Sequence, residues 1–157
     1  MPGCGKTTLG KISADKLHKK FTDTDDEIIK RINMPIADYF AKHGEESFRR
    51  IESEVIKEIS ACQSSVIATG GGAVLNPDNI RLLKENGTVV FIDRPLEKLV
   101  TTADRPLSSS RELLEKRYKE RYGLYCAAAD IKIDAVDEIG QNVKNIEEVF
   151  LNENTCN

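Results

Sequence analysis

The sequence predicts an α/β protein with a three-layer α/β/α arrangement, a parallel sheet covered by helices on both faces. Three observations carry this. Two short apolar runs, Ser65-Val66-Ile67-Ala68-Thr69 and Thr88-Val89-Val90-Phe91-Ile92, read as strands buried on both sides. Longer stretches with apolar residues at helical spacing lie around them, and such alternation is the pattern of parallel α/β folds. The chain also opens on Met1-Pro2-Gly3-Cys4-Gly5-Lys6-Thr7-Thr8, a glycine-rich turn that runs directly into a helical pattern. A length of 157 residues is that of one domain, 1–157, with a substantial core.

Leu9, Ile12, Leu17 and Phe21 recur at near-helical spacing and predict a first helix from Lys6 to Lys20. Lys20-Phe21-Thr22 is a short extended edge. The acidic cluster Asp23-Thr24-Asp25-Asp26 can then cap a helix continued by Ile28, Ile29 and Ile32. Pro35 suits the first turn of another short helix and Gly44 its stop. Phe48, Ile51, Val55 and Ile59 mark the buried stripe of a longer helix from about Glu45 to Ala61. The first apolar run ends in Gly70-Gly71-Gly72. Asn76-Pro77 supplies an N-cap and a first-turn proline for a helix closed by Gly87. After the second apolar run come a helix from Pro95 to Thr102 and a polar connection containing Ser108-Ser109-Ser110, expected to form a mobile lid at about 102–112. A charged helix from about Arg111 to Ala128, a last strand at Ile131-Lys132-Ile133 and a last helix from Asn142 to Leu151 complete the chain.

The net charge of −3 argues against a nucleic-acid binder that works through a basic surface. No run approaches the roughly 20 apolar residues that span a bilayer, and no signal segment is visible. Cys4, Cys62, Cys126 and Cys156 show no C-x-x-C spacing and read as scattered thiols of a cytoplasmic protein. His18 and His43 have no ligand partners at useful spacing and read as surface residues.

Gly5-Lys6-Thr7 matches the last three positions of the phosphate-loop pattern, glycine, four residues, then Gly-Lys-Ser/Thr. Gly3 and Gly5 let successive N–H groups turn toward phosphate oxygens, with Cys4 contributing its backbone N–H rather than its sulfur. Lys6 can reach β- and γ-phosphates, the Thr7 hydroxyl can ligate Mg2+, and the helix beginning near Lys6 adds its positive end. A phosphate loop normally leaves the end of a central strand, whose loss would strand two rows of buried backbone groups at roughly 1–3 kcal/mol each. About ten further residues upstream, or some other occupant of that gap, are therefore expected. Asp23 and Asp25 lie two apart: near a phosphate loop one can hold Mg2+ through water and the other can accept a proton from an attacking hydroxyl, or the cluster can simply cap its helix. Arg49 can pair with Glu45 and Glu52 on a solvated helix face, or point into a cleft and bind a substrate carboxylate with its planar fork. Gly70-Gly71-Gly72 permits a backbone N–H to approach a ligand, or forms a sharp turn. Arg105 and Arg121 are surface arginines or, on a lid, neutralisers of charge on a transferred phosphoryl group.

Pro-Gly-Cys-Gly-Lys-Thr, Phe-Thr-Asp-Thr-Asp, Gly-Glu-Glu-Ser-Phe-Arg-Arg-Ile-Glu, Thr-Gly-Gly-Gly-Ala-Val, Asp-Arg-Pro-Leu and Arg-x-x-Leu-Tyr occur in an order that resembles the shikimate kinase family over nearly the whole chain. The resemblance implies a P-loop, nucleoside-monophosphate-kinase-like fold and transfer of the ATP γ-phosphate to the 3-hydroxyl of shikimate. It implies that Gly3, Cys4, Gly5, Lys6, Thr7 and Thr8 cradle ATP phosphates, that Thr7 and Asp23 serve Mg2+, and that Asp25 meets the acceptor hydroxyl as base. It further implies that Arg49 and Arg121 hold the shikimate carboxylate, that the Gly71 amide supports ring hydroxyls, and that Arg105 meets the phosphates. Thr101 or Thr102 stands near the place where the family carries an adenine-stacking arginine. A monomer is expected, with ATP and shikimate as its ligands and no membrane partner. Two other readings are a binding module of the same shape without ATP turnover and a related small-metabolite kinase.

Overall fold

The computed structural model describes residues 1, 3–99 and 111–154. Its helices are α1 (Lys6–Lys16), α2 (Thr24–Ile32), α3 (Ile36–Ser60), α4 (Pro77–Glu85), α5 (Arg111–Ala128) and α6 (Ile139–Asn154). Its strands are β1 (Lys20–Asp23), β2 (Ser65–Ala68), β3 (Val90–Asp93) and β4 (Ile131–Asp134), with single 3-10 turns at Ala73–Leu75 and Leu96–Lys98.

Local chemistry accounts for most boundaries. α1 stops at Lys16, four residues short of the predicted end, because His18 turns into the left-handed region at φ 53°. The His18 N–H then donates to the Asp15 carbonyl at 3.2 Å and the Lys19 N–H to the Ala14 carbonyl at 2.9 Å, the paired bonds of a Schellman motif. Asp23 caps α2 by accepting the Asp25 N–H. Gly44 (φ 76°, ψ 171°) interrupts α3, so the short helix and the long one predicted on either side of it meet at a kink. Asn76 caps α4 with Pro77 in its first turn, as the dipeptide predicts. The helix expected from Pro95 to Thr102 is instead the single turn Leu96–Lys98, after which Leu99 is extended and buried. Packing Leu99 into the core beside Phe91 and Leu114 overrides the local helical pattern. The remainder of that stretch, with the lid, lies outside the described residues.

β1 pairs in parallel with β2, setting Lys20 opposite Ser65 and Asp23 opposite Ala68. β3 pairs in parallel with β4, setting Val90 opposite Ile131 and Asp93 opposite Asp134. Among the described residues the two parallel pairs share no ladder, in keeping with the gap expected beside the phosphate loop. A cavity of about 450 Å³ separates them, lined by β2 on one side and β3 on the other. One apolar cluster gathers Leu9, Phe91, Ile92, Leu114, Tyr125, Ile133 and Val143. A second joins α2 to α3 through Ile28, Phe48 and Val55 and fixes the wall from which Arg49 projects.

Candidate active site

The phosphate loop is built from its glycines. Gly3 and Gly5 have φ values of 72° and 91°, in the left-handed region that favours glycine. Nothing lies within 4 Å of where a Gly5 Cβ would be, so backbone conformation rather than space demands glycine there. Cys4 is buried in the core and Thr8 faces solvent. The Lys6 ammonium folds back over the loop and donates to the Met1 carbonyl at 2.8 Å.

Asp23 caps its helix, as one of its two readings expects, and also meets Thr7. Its Oδ1 accepts the Asp25 N–H at 3.0 Å, which caps α2, and its Oδ2 accepts the Thr7 hydroxyl at 2.8 Å. Placing a hydroxyl and a carboxylate side by side fits Mg2+, which takes one or two protein oxygens and completes its shell with water and phosphate. Among the described residues no group of three or more His, Cys, Asp or Glu side chains could hold a metal unaided.

Arg49 makes the pairs that its spacing allows and also borders the cleft. It pairs with Glu45 at 3.0 Å and with Glu52 at 2.6 Å, and it lines the cleft. Glu52 is 1% exposed, and burial pushes its carboxyl above the usual range, opposed by the guanidinium of Arg49. The glycine run makes this packing possible. A Cβ on Gly72 would sit 1.9 Å from Arg49 Nη1, and one on Gly70 would sit 2.9 Å from both Asp25 Oδ1 and Glu52 Oε1. The Gly70 N–H donates to the buried Thr24 hydroxyl at 2.8 Å.

Arg121 is 8% exposed and donates from Nη1 to the Gly71 carbonyl at 3.1 Å. Tyr125 donates its hydroxyl to the same oxygen at 2.6 Å. Arg121 makes no ion pair among the described residues. At Gly71 it is the carbonyl that these side chains engage, whereas the amide was the group singled out from the sequence.

Lys6, Thr7, Asp23, Asp25, Arg49, Gly71 and Arg121 thus share one cavity of about 410 Å³. Gly3, Cys4, Gly5 and Thr8 shape the loop beside it without lining it. Arg105, Thr101 and Thr102 lie outside the described residues. The larger space between β2 and β3 meets the cleft at Lys6, Thr69, Gly70 and Gly71, but it is mostly apolar and touches none of Asp25, Arg49 and Arg121. Sequence reasoning gave no site role to Glu52, Tyr125 or Arg117. Arg117 lines the same cavity, its Nε is buried with no hydrogen-bond partner among the described residues, and burial together with nearby Arg121 pulls its guanidinium below the usual value. Its position four residues before Arg121, on the same helix face, was the available signal.

The shikimate kinase family model matches residues 2–150. A shikimate kinase of Clostridium botulinum is 44% identical over 153 residues, 93% of this chain and 92% of that protein. One of Clostridium beijerinckii is 42% identical over 155 residues, 96% and 91% of the two chains. Among solved structures, shikimate kinase from Acinetobacter baumannii in complex with shikimate superposes with a TM-score of 0.90 at 32% identity, covering 97% of this chain and 90% of that one. The Aquifex aeolicus shikimate kinase gives 0.82 at 35% identity, covering 98% and 93%. With Lys6, Asp25, Arg49, Gly71 and Arg121 of the family's motifs in one cleft and the match running almost end to end, the chain belongs to the shikimate kinase family.

Proposed function

We propose that this chain is an ATP-dependent kinase that phosphorylates the 3-hydroxyl of shikimate, on the way to chorismate and the aromatic amino acids. One observation carries the reading. Arg121 is a buried guanidinium that makes no ion pair among the described residues, in the same cavity as Arg49, Asp25 and Lys6. A buried charge is costly until it is paired, so the site asks for a small anion. The relative solved with shikimate bound supports a cyclic carboxylic acid as that anion.

In this reading Arg49 and Arg121 hold the carboxylate and point the ring's hydroxyl at Asp25. Asp25 accepts the hydroxyl proton as the oxygen attacks the γ-phosphorus. The bond from that phosphorus to the β-bridging oxygen breaks, and ADP leaves. Lys6 and the loop amides of Gly3 to Thr8 bind the phosphates, and Arg105 is assigned to phosphate charge by the family resemblance alone. Phosphoryl transfer needs alignment and charge neutralisation more than covalent help, which is what these residues supply. Thr7, with Asp23 behind it, would hold Mg2+, which neutralises phosphate charge when bound. Water is the competing acceptor, and closure over the cleft would exclude it. No described helix is long and apolar enough to cross a membrane, and we place the enzyme in the cytoplasm as a monomer.

A coupled assay of ADP release with and without shikimate tests the reading. Shikimate-dependent release is expected. Shikimate binding without turnover would point to a binding module, and turnover only with another acceptor would point to a different small-metabolite kinase. Either result overturns the assignment.

A further inference from the structure

We infer that Tyr125 is a positioning residue for the acid: its hydroxyl fixes the Gly71 carbonyl on which the Arg121 guanidinium is anchored, and so aims Arg121 at the substrate carboxylate. The inference rests on the reading of Arg121 as part of the carboxylate clamp. Two side chains of α5 share one acceptor. Arg121 Nη1 donates to the Gly71 carbonyl at 3.1 Å, and the Tyr125 hydroxyl donates to it at 2.6 Å. The two residues are four apart, so both sit on the helix face turned toward the glycine run. A backbone carbonyl has two lone pairs, and these two donors can use both. The bond to Gly71 takes one of the five N–H donors of Arg121, which leaves the rest of its fork to meet a ligand.

Such an anchor needs holding. Gly71 stands between Gly70 and Gly72, and no Cβ in this run restricts how the peptide planes turn. Arg121 is a long side chain with many rotamers and cannot supply the rigidity itself. Tyr125 can. It is 6% exposed, and its ring stacks on Phe91 with centroids 5.4 Å apart and planes at 22°. Phe91 belongs to β3 and is buried in the main apolar cluster, so the tyrosine ring is a fixed post. Burial pushes the Tyr125 hydroxyl above its usual range, opposed by nearby Arg121, and it remains a neutral donor. Gly71 and Arg121 line the cleft, whereas Tyr125 does not. Tyr125 therefore acts on a bound acid only through the two groups it holds in place.

The test is the coupled ADP assay on Tyr125→Phe, which keeps the ring and removes the donor. The shikimate KM should rise about three- to tenfold, the worth of one hydrogen bond. The ATP KM and kcat should stay within about twofold of the parent, since the loss falls on binding of the acid. Beside Arg121→Gln the same substitution should change the shikimate KM less than about twofold, because its route to the acid is gone. Leu114→Ala, a core change on the same helix, should lower Tm and leave the shikimate KM at the parental value. The inference is overturned if Tyr125→Phe keeps the parental shikimate KM, raises both KM values alike, lowers kcat instead, or does not fold. It is also overturned if its effect is undiminished beside Arg121→Gln, or if Leu114→Ala raises the shikimate KM as much. Absence of shikimate-dependent ADP release from the parent would overturn the underlying assignment, and this inference with it; a responsive parent with an unaffected Tyr125→Phe would sink this inference alone.

Discussion

Replacing Arg49 with Met should separate what this side chain does for the fold from what it does for substrate. Arg49 faces Glu52 at 2.6 Å, with side-chain exposures of 22% and 2%. Removing the guanidinium leaves a buried carboxylate with its nearest counter-ion gone, and breaking a buried pair costs about 3–5 kcal/mol. The partial exposure of Arg49 favours the low end, about 3 kcal/mol, or a fall in Tm of roughly 6–12 °C for a domain of this size. The pH dependence has a definite sign. Burial already raises the folded-state pKa of Glu52 above its unfolded value, and Arg49 opposes that shift. Without Arg49 the folded pKa rises further, so the folded state binds a proton more readily than the unfolded state. The penalty is then full above the raised folded pKa. It shrinks as pH falls through that value, and is gone below the ordinary carboxylate range. Adding Glu52→Gln to Arg49→Met removes the stranded charge and should restore stability to within about 1 kcal/mol. It should not restore substrate affinity: the lost charge-assisted contact, about 1.5–3 kcal/mol, raises the shikimate KM roughly 10- to 150-fold in both variants. Urea melts across pH and the coupled ADP assay measure the two effects. The reasoning fails if the single variant is as stable as the parent, or if the double variant regains the parental KM.

Asp25→Asn keeps the shape of the acceptor side and removes the proton acceptor, so kcat should collapse while ATP binding, followed by calorimetry, is retained; near-normal turnover removes Asp25 from the mechanism. Gly72→Ala puts a methyl where Arg49 Nη1 now lies, 1.9 Å from the new Cβ. The guanidinium must swing away, so the shikimate KM should rise while the ATP KM stays, and equal change in both would count against the mechanism. Arg117→Leu removes the third guanidinium from the cavity. We expect a shikimate KM raised about two- to tenfold, with kcat kept and a weaker dependence of KM on salt than in the parent. A KM and salt dependence like the parent's would show that Arg117 does not act on the substrate.

What could be read in advance was whatever local chemistry decides. Asn76-Pro77 announces its helix because an N-cap and a first-turn proline need only neighbouring residues. Gly44 announces the kink in α3 for the same reason. The order of the motifs carrying Lys6, Asp25, Arg49 and Arg121 was also legible, and the fold brings these residues to one cavity. His18 hid the end of α1, because a non-glycine residue there takes the left-handed turn. Leu99 hid the end of the turn after β3, because burial set its backbone. Glu52 could be paired with Arg49 from its spacing, but its burial against Gly70 is a tertiary fact that no helical pattern contains. Tyr125 belongs to a recognised motif, yet its partner, the Gly71 carbonyl, is 54 residues away in the chain.

The glycine run after β2 is the joint on which the cleft turns. Gly70 is held by the Thr24 hydroxyl and touches the region of Asp25 and Glu52, Gly71 offers its carbonyl to Arg121 and Tyr125, and Gly72 leaves the room that Arg49 fills. Three residues thus set the mutual spacing of the acceptor carboxylate and both guanidinium groups.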